Sequence, residues 1–323
     1  MEFTAKKRLQ LYAGRSNPAL AEAVAKHLGV ELGNPNLVDF SNGEIRCTFG
    51  SSIRGTDLFI LQTHHGPVND SIMEQLIMID AAKRASAKRI TAVIPFYGYA
   101  RQDRKAAGRE PITAKLVADM LTTAGADRVV TIDLHSGQIQ GFFDIPVDHL
   151  TALPVLVEHL RYTVGPGCVV VSPDSGRVKV AERMAKHLDA DVASIYKRRS
   201  TSQVDSVEAL DIMGDVTGRY CVIVDDMIAT GGTICAAAEI LKKRGATGVM
   251  AAVTHGELSG PAVDRIKNSV FDKVIITDTI PLPPEKQCDK IEVLSIAPLL
   301  ADAISAVFED ASVSEIFGGE NLS

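Results

Sequence analysis

An α/β fold built from mainly parallel sheets is the fold class this sequence predicts. Short apolar runs of strand length alternate with amphipathic stretches of helical length throughout the chain. Strands that alternate with helices pack as a parallel sheet covered by helices on its faces. The chain has 323 residues, of which 46% are hydrophobic and 23% charged, enough for about two globular domains.

The elements follow in order. Leu9–Tyr12 reads as a strand, and Pro18–Leu28 as the helix after it. Leu58–Gln62 precedes a helical stretch over Asp70–Ala85, and Ile90–Ile94 precedes Ile112–Ala124. Val129–Asp133 precedes Ala152–Leu160, and Cys168–Val171 precedes Val178–Leu188. Val192–Tyr196 is a strand-like run at the flexible-looking centre, and Val222–Asp225 leads into a helix over Ile234–Arg244 with Gly245 placed to cap it. Val249–Thr254 precedes Ala262–Asn268, and Val274–Thr277 and Ile291–Ser295 complete the strands. The two halves read as variants of one plan, with domains over 1–150 and 151–298. Thr163-Val-Gly-Pro-Gly167 is the best linker candidate. The segment 299–323, with its helical pattern at Leu299–Phe308, is expected to join the first domain.

Composition excludes several classes. A net charge of −6 and a pI near 5.8 argue against a nucleic-acid footprint, which is normally basic. The five cysteines are scattered without a zinc-like or CxxC spacing, which fits reduced thiols in a cytoplasm. The N-terminus lacks the apolar core of a signal peptide, and no window reaches membrane-spanning length. A cytoplasmic protein with no membrane partner is expected.

The most informative stretch is Cys221-Val-Ile-Val-Asp-Asp-Met-Ile-Ala-Thr-Gly-Gly-Thr233. A strand that feeds a helix through a glycine loop aims backbone N–H groups at one spot, where the helix N-terminus favours an anion. Asp225 and Asp226, just before the loop, suit sugar hydroxyls or a hydrated divalent cation. A phosphorylated sugar would satisfy both features. A plain turn after a buried strand is the competing reading of Gly-Gly taken by itself.

Other strand ends carry unusual residues. His135 in Asp133-Leu-His-Ser136 and Asp174 in Ser172-Pro-Asp-Ser-Gly176 could hold a hydrated magnesium ion, whose remaining ligands are water and phosphate oxygens. Read separately, each also fits a structural histidine and a turn. Phe96–Lys105 mixes aromatic rings, cations and an amide, with Arg101 offering paired donors to a polyphosphate. Phe40-Ser-Asn-Gly-Glu44 reads first as a hairpin turn, with Phe40 available to stack on an adenine. Tyr196–Gln203 is a basic strand end running into a polar stretch, suited to a lid that brings charge to a polyphosphate.

Taken together, these segments resemble the phosphate-activated class of ribose-phosphate pyrophosphokinases (PRPP synthetases) over nearly the whole chain. The resemblance runs through Phe40–Glu44, Tyr99–Lys105, Glu110–Lys115, Asp133–His135, Gln138–Pro146, Ser172–Asp174, Lys197–Arg199, the loop at 225–233 and Leu258–Ala262. It implies two tandem domains like type I phosphoribosyltransferases, and transfer of the β,γ-diphosphoryl group of ATP to the anomeric hydroxyl of ribose 5-phosphate. It places Arg101 and Gln102 on ATP, and Phe40, Asn42, Gly43 and Glu44 at the adenine of a neighbouring subunit. It gives magnesium (Mg2+) to His135 and Asp174, and the ribose hydroxyls to Asp225 and Asp226. The 5-phosphate falls to Ala229, Thr230, Gly231, Gly232 and Thr233, while Lys197 and Arg199 close over the transferring group as the catalytic cations. Arg199 also faces ribose 5-phosphate. The usual assembly of the family is a homohexamer.

The chain departs from the family pattern at three positions. Ala229 stands where an Asp is usual, and Arg177 replaces a usual Gly, an exchange expected to restrict the turn beside Asp174. Val180 takes the place of an Arg that helps bind regulatory phosphate, although Ser52, Arg54, Ser312 and Ser314 match the rest of that pocket. An active enzyme with weakened response to phosphate and ADP is expected. The alternatives are a non-catalytic regulatory subunit of such an assembly and a PRPP-consuming transferase. The transferase would need only the last loop.

Overall fold

The computed structural model describes residues 7–198 and 209–317, and the chain divides into two compact units. The first takes the described residues of Met1–Thr151, Thr279–Pro281 and Ser295–Ser323; the second takes those of Ala152–Asp278 and Leu282–Leu294.

In the first unit β1 (Leu9–Ala13) leads to α1 (Pro18–Leu28) and β2 (Leu32–Gly33). The side chain of Asn17 caps α1 by accepting from Leu20 N, Pro18 opens the helix, and Gly29 ends it at φ 67°. A small hairpin follows, β3 (Val38–Asp39) antiparallel to β4 (Ile45–Arg46). Then come β5 (Asp57–Leu61), α2 (Val68–Arg84), β6 (Arg89–Ile94), α3 (Thr113–Ala124), β7 (Arg128–Ile132) and β8 (Val147–Leu150). The main sheet has the order β2-β1-β5-β6-β7-β8, with every pairing parallel. All of β5 is buried, as expected for a central strand covered on both faces.

The second unit begins with α4 (Leu153–Thr163), β9 (Val169–Ser172), α5 (Val178–Leu188) and β10 (Asp191–Arg198). It continues with β11 (Ala209–Met213), β12 (Tyr220–Ile228), α6 (Gly232–Lys243), β13 (Gly248–Gly256), α7 (Ala262–Asn268), β14 (Lys273–Thr277) and β15 (Ile291–Leu294). Its sheet order is β11-β10-β9-β12-β13-β14-β15, parallel except for the antiparallel pair β10–β11. Helix α8 (Ala297–Glu309) belongs to the first unit and packs on α1, burying Leu299, Leu300, Ile304 and Val307.

The predicted fold class stands: both sheets are mainly parallel and flanked by helices. The helices at Pro18–Leu28, Val178–Leu188 and Ala262–Asn268 have the predicted bounds. Three readings are corrected. Residues 163–167 are not a linker but the end of α4 and its turn into β9, inside the second unit. Strand β12 does not stop at the acids; it carries Asp225 and Asp226 within the sheet and runs to Ile228. Strands β2, β8 and β11 escaped the pattern because two are very short or polar and the third is an edge strand of mixed character.

Candidate functional site

The second unit gathers its predicted site residues at the C-terminal ends of the neighbouring strands β9, β10 and β12, where open parallel sheets present their ligand crevices. Beyond β12 the connection is only Ala229-Thr230-Gly231, and α6 begins at Gly232. Gly231 has φ 76°, a left-handed conformation in which a side chain is strained, so this turn requires glycine.

The hydrogen bonds of this loop are one-sided. Leu258 N donates to Ile228 O and Ser259 N to Ala229 O, each at 3.0 Å. Arg265 Nη1 donates to Thr230 O at 2.9 Å, and Cys235 N to Gly231 O at 3.1 Å. Each carbonyl from Ile228 to Gly231 is thus engaged by a protein donor. The N–H groups of Thr230, Gly231, Gly232 and Thr233 have no acceptor among the described residues. A run of N–H groups at the start of a helix, with its carbonyls tied back, is an arrangement that receives an anion.

Beside it stands the acid pair. Asp226 is buried and Asp225 half-buried, and the backbone N–H of Asp226 donates to Asp225 Oδ1 at 2.8 Å. Burial first, and the adjacent Asp226 second, push the Asp225 carboxyl above the usual carboxylate range, and Arg177 pulls it back down. Arg177, from the connection between β9 and α5, places Nε 3.3 Å from Asp225 Oδ1 and Nη2 2.7 Å from Asp226 Oδ2. Its backbone has φ −108°, so the turn beside Asp174 does not need the glycine expected there. Asp174 itself is exposed; its Oδ1 accepts from Gly176 N at 2.8 Å. Lys197 lies in β10, its side chain outside the described residues, as is the whole of Arg199.

In the first unit Phe40, Asn42, Gly43 and Glu44 form the turn of the β3–β4 hairpin. Phe40 N donates to Glu44 O at 2.8 Å, Glu44 N to Asn42 Oδ1 at 3.1 Å, and Gly43 takes φ 88°. The Phe40 ring is 46% exposed, with the Arg46 guanidinium 5.9 Å from its centroid, so it offers a face for stacking. Arg101 and Gln102 follow β6. Gln102 is held by Thr113 Oγ1, which donates to its Oε1 at 2.6 Å, and by its own N–H to Tyr99 O at 2.8 Å. His135 follows the adjacent strand β7, where Leu134 N donates to His149 Nε2 at 2.9 Å. Ser312 and Ser314 share a hydrogen bond at 2.9 Å, and Ser52 and Arg54 are exposed.

No cluster of three or more His, Cys, Asp or Glu able to hold a metal exists among the described residues. That donor set fits magnesium only where a bound polyphosphate and water supply most ligands. Arg15 and Arg265 had no role in the sequence reading, and Arg177 entered it only as the replacement of a glycine, with no partner assigned. Each acts through contacts distant in sequence, and no local motif announces them.

Comparison with known proteins fits this picture. Residues 9–125 match the N-terminal domain of ribose phosphate pyrophosphokinase, and residues 207–318 the phosphoribosyl synthetase-associated domain. A ribose-phosphate pyrophosphokinase of Streptomyces avermitilis is 55% identical over 318 residues, covering 98% of each chain. One from Corynebacterium glutamicum is 54% identical over 317 residues, covering 97% of each. The crystal structure of phosphoribosylpyrophosphate synthetase from Mycobacterium smegmatis superposes with a TM-score of 0.88 at 52% identity, over 94% of this chain and 100% of that one. The chain belongs to the ribose-phosphate pyrophosphokinase family.

Proposed function

We propose that this chain transfers the β,γ-diphosphoryl group of ATP to the anomeric hydroxyl of ribose 5-phosphate, forming PRPP and AMP. The anomeric oxygen bonds to the β-phosphorus as the bond from that phosphorus to the α,β-bridging oxygen breaks, and the hydroxyl proton is released. The observation that carries this reading is the loop after β12, with its carbonyls tied back and its N–H groups turned outward beside two carboxylates. Family membership over almost the whole chain supplies the reaction.

In this reading Ala229–Thr233 hold the 5-phosphate, and Asp225 and Asp226 accept from the ribose hydroxyls. Arg101 and Gln102 bind ATP, while Phe40, Asn42, Gly43 and Glu44 complete the adenine site of a neighbouring subunit in a homohexamer. His135 and Asp174 would hold magnesium, which would supply charge neutralisation to the polyphosphate. Lys197 and Arg199 add cationic charge over the transferring group. Transfer of this kind depends mainly on in-line positioning and on neutralising charge that spreads in the transition state. With Val180 in α5 instead of a cation, Ser52, Arg54, Ser312 and Ser314 respond weakly to phosphate and ADP.

The test incubates purified protein with ATP, magnesium and ribose 5-phosphate, and measures AMP and PRPP at several phosphate concentrations. Stoichiometric AMP and PRPP are expected. Absence of both would return the chain to the regulatory-subunit reading. Unpaired thiols fit a cytoplasmic setting, since all five cysteines are free, and no helix among the described residues is long and apolar enough to cross a membrane.

A further inference from the structure

Asp225 and Asp226 are neighbours in a strand, where successive side chains ordinarily point to opposite faces. One guanidinium nevertheless touches both. Arg177 Nε is 3.3 Å from Asp225 Oδ1, and Nη2 is 2.7 Å from Asp226 Oδ2. The three side chains are only 16%, 21% and 6% exposed for Arg177, Asp225 and Asp226, so water does little to screen the contact. A surface ion pair would contribute little, whereas a shielded fork that spans two carboxylates fixes their geometry. A carboxylate offers about four acceptor sites; the guanidinium takes one on each acid, and the Asp226 N–H takes another on Asp225.

We propose that Arg177 is a positioning residue for the sugar-phosphate acceptor, its guanidinium locking Asp225 and Asp226 together as the pair that accepts the ribose hydroxyls. This rests on the acceptor role given to the acid pair above. Two carboxylates side by side in a poorly solvated place repel, and the simplest relief is to retain a proton. Burial and Asp226 drive Asp225 that way, and Arg177 acts against them. A protonated carboxyl offers a hydrogen where an acceptor hydroxyl needs an oxygen. An arginine suits the task better than a lysine because its planar fork reaches both acids at once.

The experiment compares wild type, Arg177→Met and Arg177→Lys by the rate of AMP formation, varying ribose 5-phosphate at saturating ATP and then the reverse. Arg177→Met should raise KM for ribose 5-phosphate roughly tenfold while KM for ATP stays within about twofold, and Arg177→Lys should fall between. A purely structural role would lower the active fraction and leave both KM values in place. An unchanged acceptor KM, an equal rise in both KM values, or a fall in acceptor KM each overturns the proposal; the fall would mean that Arg177 competes with the acceptor. Should Arg177→Met fail to fold, Arg177→Lys decides alone, and a wild-type acceptor KM there overturns the proposal. A wild-type protein that forms no AMP refutes the enzymatic reading instead. Calorimetric titration with ribose 5-phosphate then makes the same comparison: weaker binding in the variants supports the role of Arg177, and equal binding overturns it.

Discussion

Arg15 grips Asp39 with both arms of its guanidinium, Nη1 to Oδ2 and Nη2 to Oδ1, each at 2.7 Å. Its Nε also donates to Glu74 Oε2 at 2.6 Å, and its backbone N–H to Glu74 Oε1 at 2.7 Å. Glu74, on α2, is a buried carboxylate with a side chain 4% exposed, steadied further by Gln62 Nε2 at 2.9 Å. A buried acid thus anchors the arm that holds β3, the strand leading into the Phe40–Glu44 turn. Arg15→Met removes the cation from Glu74 and frees the hairpin. A loss of about 2 kcal/mol in unfolding free energy is expected, less than for a fully buried pair because Arg15 is partly exposed. Chemical denaturation checks the loss, and a rise in KM for ATP checks the link to the hairpin. An unaltered denaturation midpoint would show that the network is energetically neutral.

Arg265 braces the loop after β12 from α7 through Thr230 O. With Arg265→Ala that carbonyl loses a charged donor and the turn is held only by Leu258, Ser259 and Cys235. Hydrogen bonds to charged groups are worth about 1.5–3 kcal/mol, reduced here by solvent, so KM for ribose 5-phosphate should rise about threefold to tenfold. KM for ATP should hold. Initial-rate kinetics with each substrate varied separates this from general destabilisation.

His64 is fully buried in the first unit, with Nδ1 accepting from Gly98 N at 3.2 Å. Gln75 Nε2 donates to Ile60 O, which turns Gln75 Oε1 toward His64 Nε2 at 2.8 Å. The ring is therefore neutral with its proton on Nε2. Burial lowers the imidazole from its usual 6.5 to about 4. Above pH 6.5 its contribution to stability is complete. As pH falls from 6.5 to about 4, the unfolded chain takes up a proton that the folded one refuses, and about 3 kcal/mol is lost. Denaturation across this range should show the loss in wild type and a flatter profile in His64→Gln.

Asp310, at the end of α8, pairs with Lys7 and with Arg89, whose Nη1 is 2.6 Å from Asp310 Oδ1. The Lys7 hydrogen bond first, and the Arg89 one second, hold its carboxyl down at about 2. A depressed carboxyl stabilises the fold above its ordinary value of 3.8, and that benefit disappears as pH falls toward 2. Asp310→Asn should therefore be less stable than wild type at pH 6 and indistinguishable below pH 2. Melting temperatures at the two pH values test this, and a gap that persists in acid would assign the effect to packing.

Much of the fold was legible because apolar spacing reports burial directly. The buried runs in β5, β13 and β14 are continuous, as strands covered on both faces must be. The limits of α1, read from apolar spacing, coincide with its Asn17 and Gly29 caps. The hairpin at Phe40–Glu44 followed from Asn-Gly, and it is indeed closed by Phe40 N and Glu44 O. Edge strands were less legible, since β11 pairs on one side and has no strict periodicity.

The sequence by itself determined the alternation of strands and helices, the glycine turn at Gly231 and the placing of Asp225 and Asp226 ahead of a helix start with outward backbone N–H groups. These are properties of neighbours along the chain, governed by backbone sterics and by the period of burial. Only the tertiary structure decided that Arg177 meets both acids, that Arg265 meets Thr230 and that Arg15 joins Asp39 to Glu74. The order of strands in the sheet and the direction of each long side chain set those contacts, and local residue spacing encodes neither.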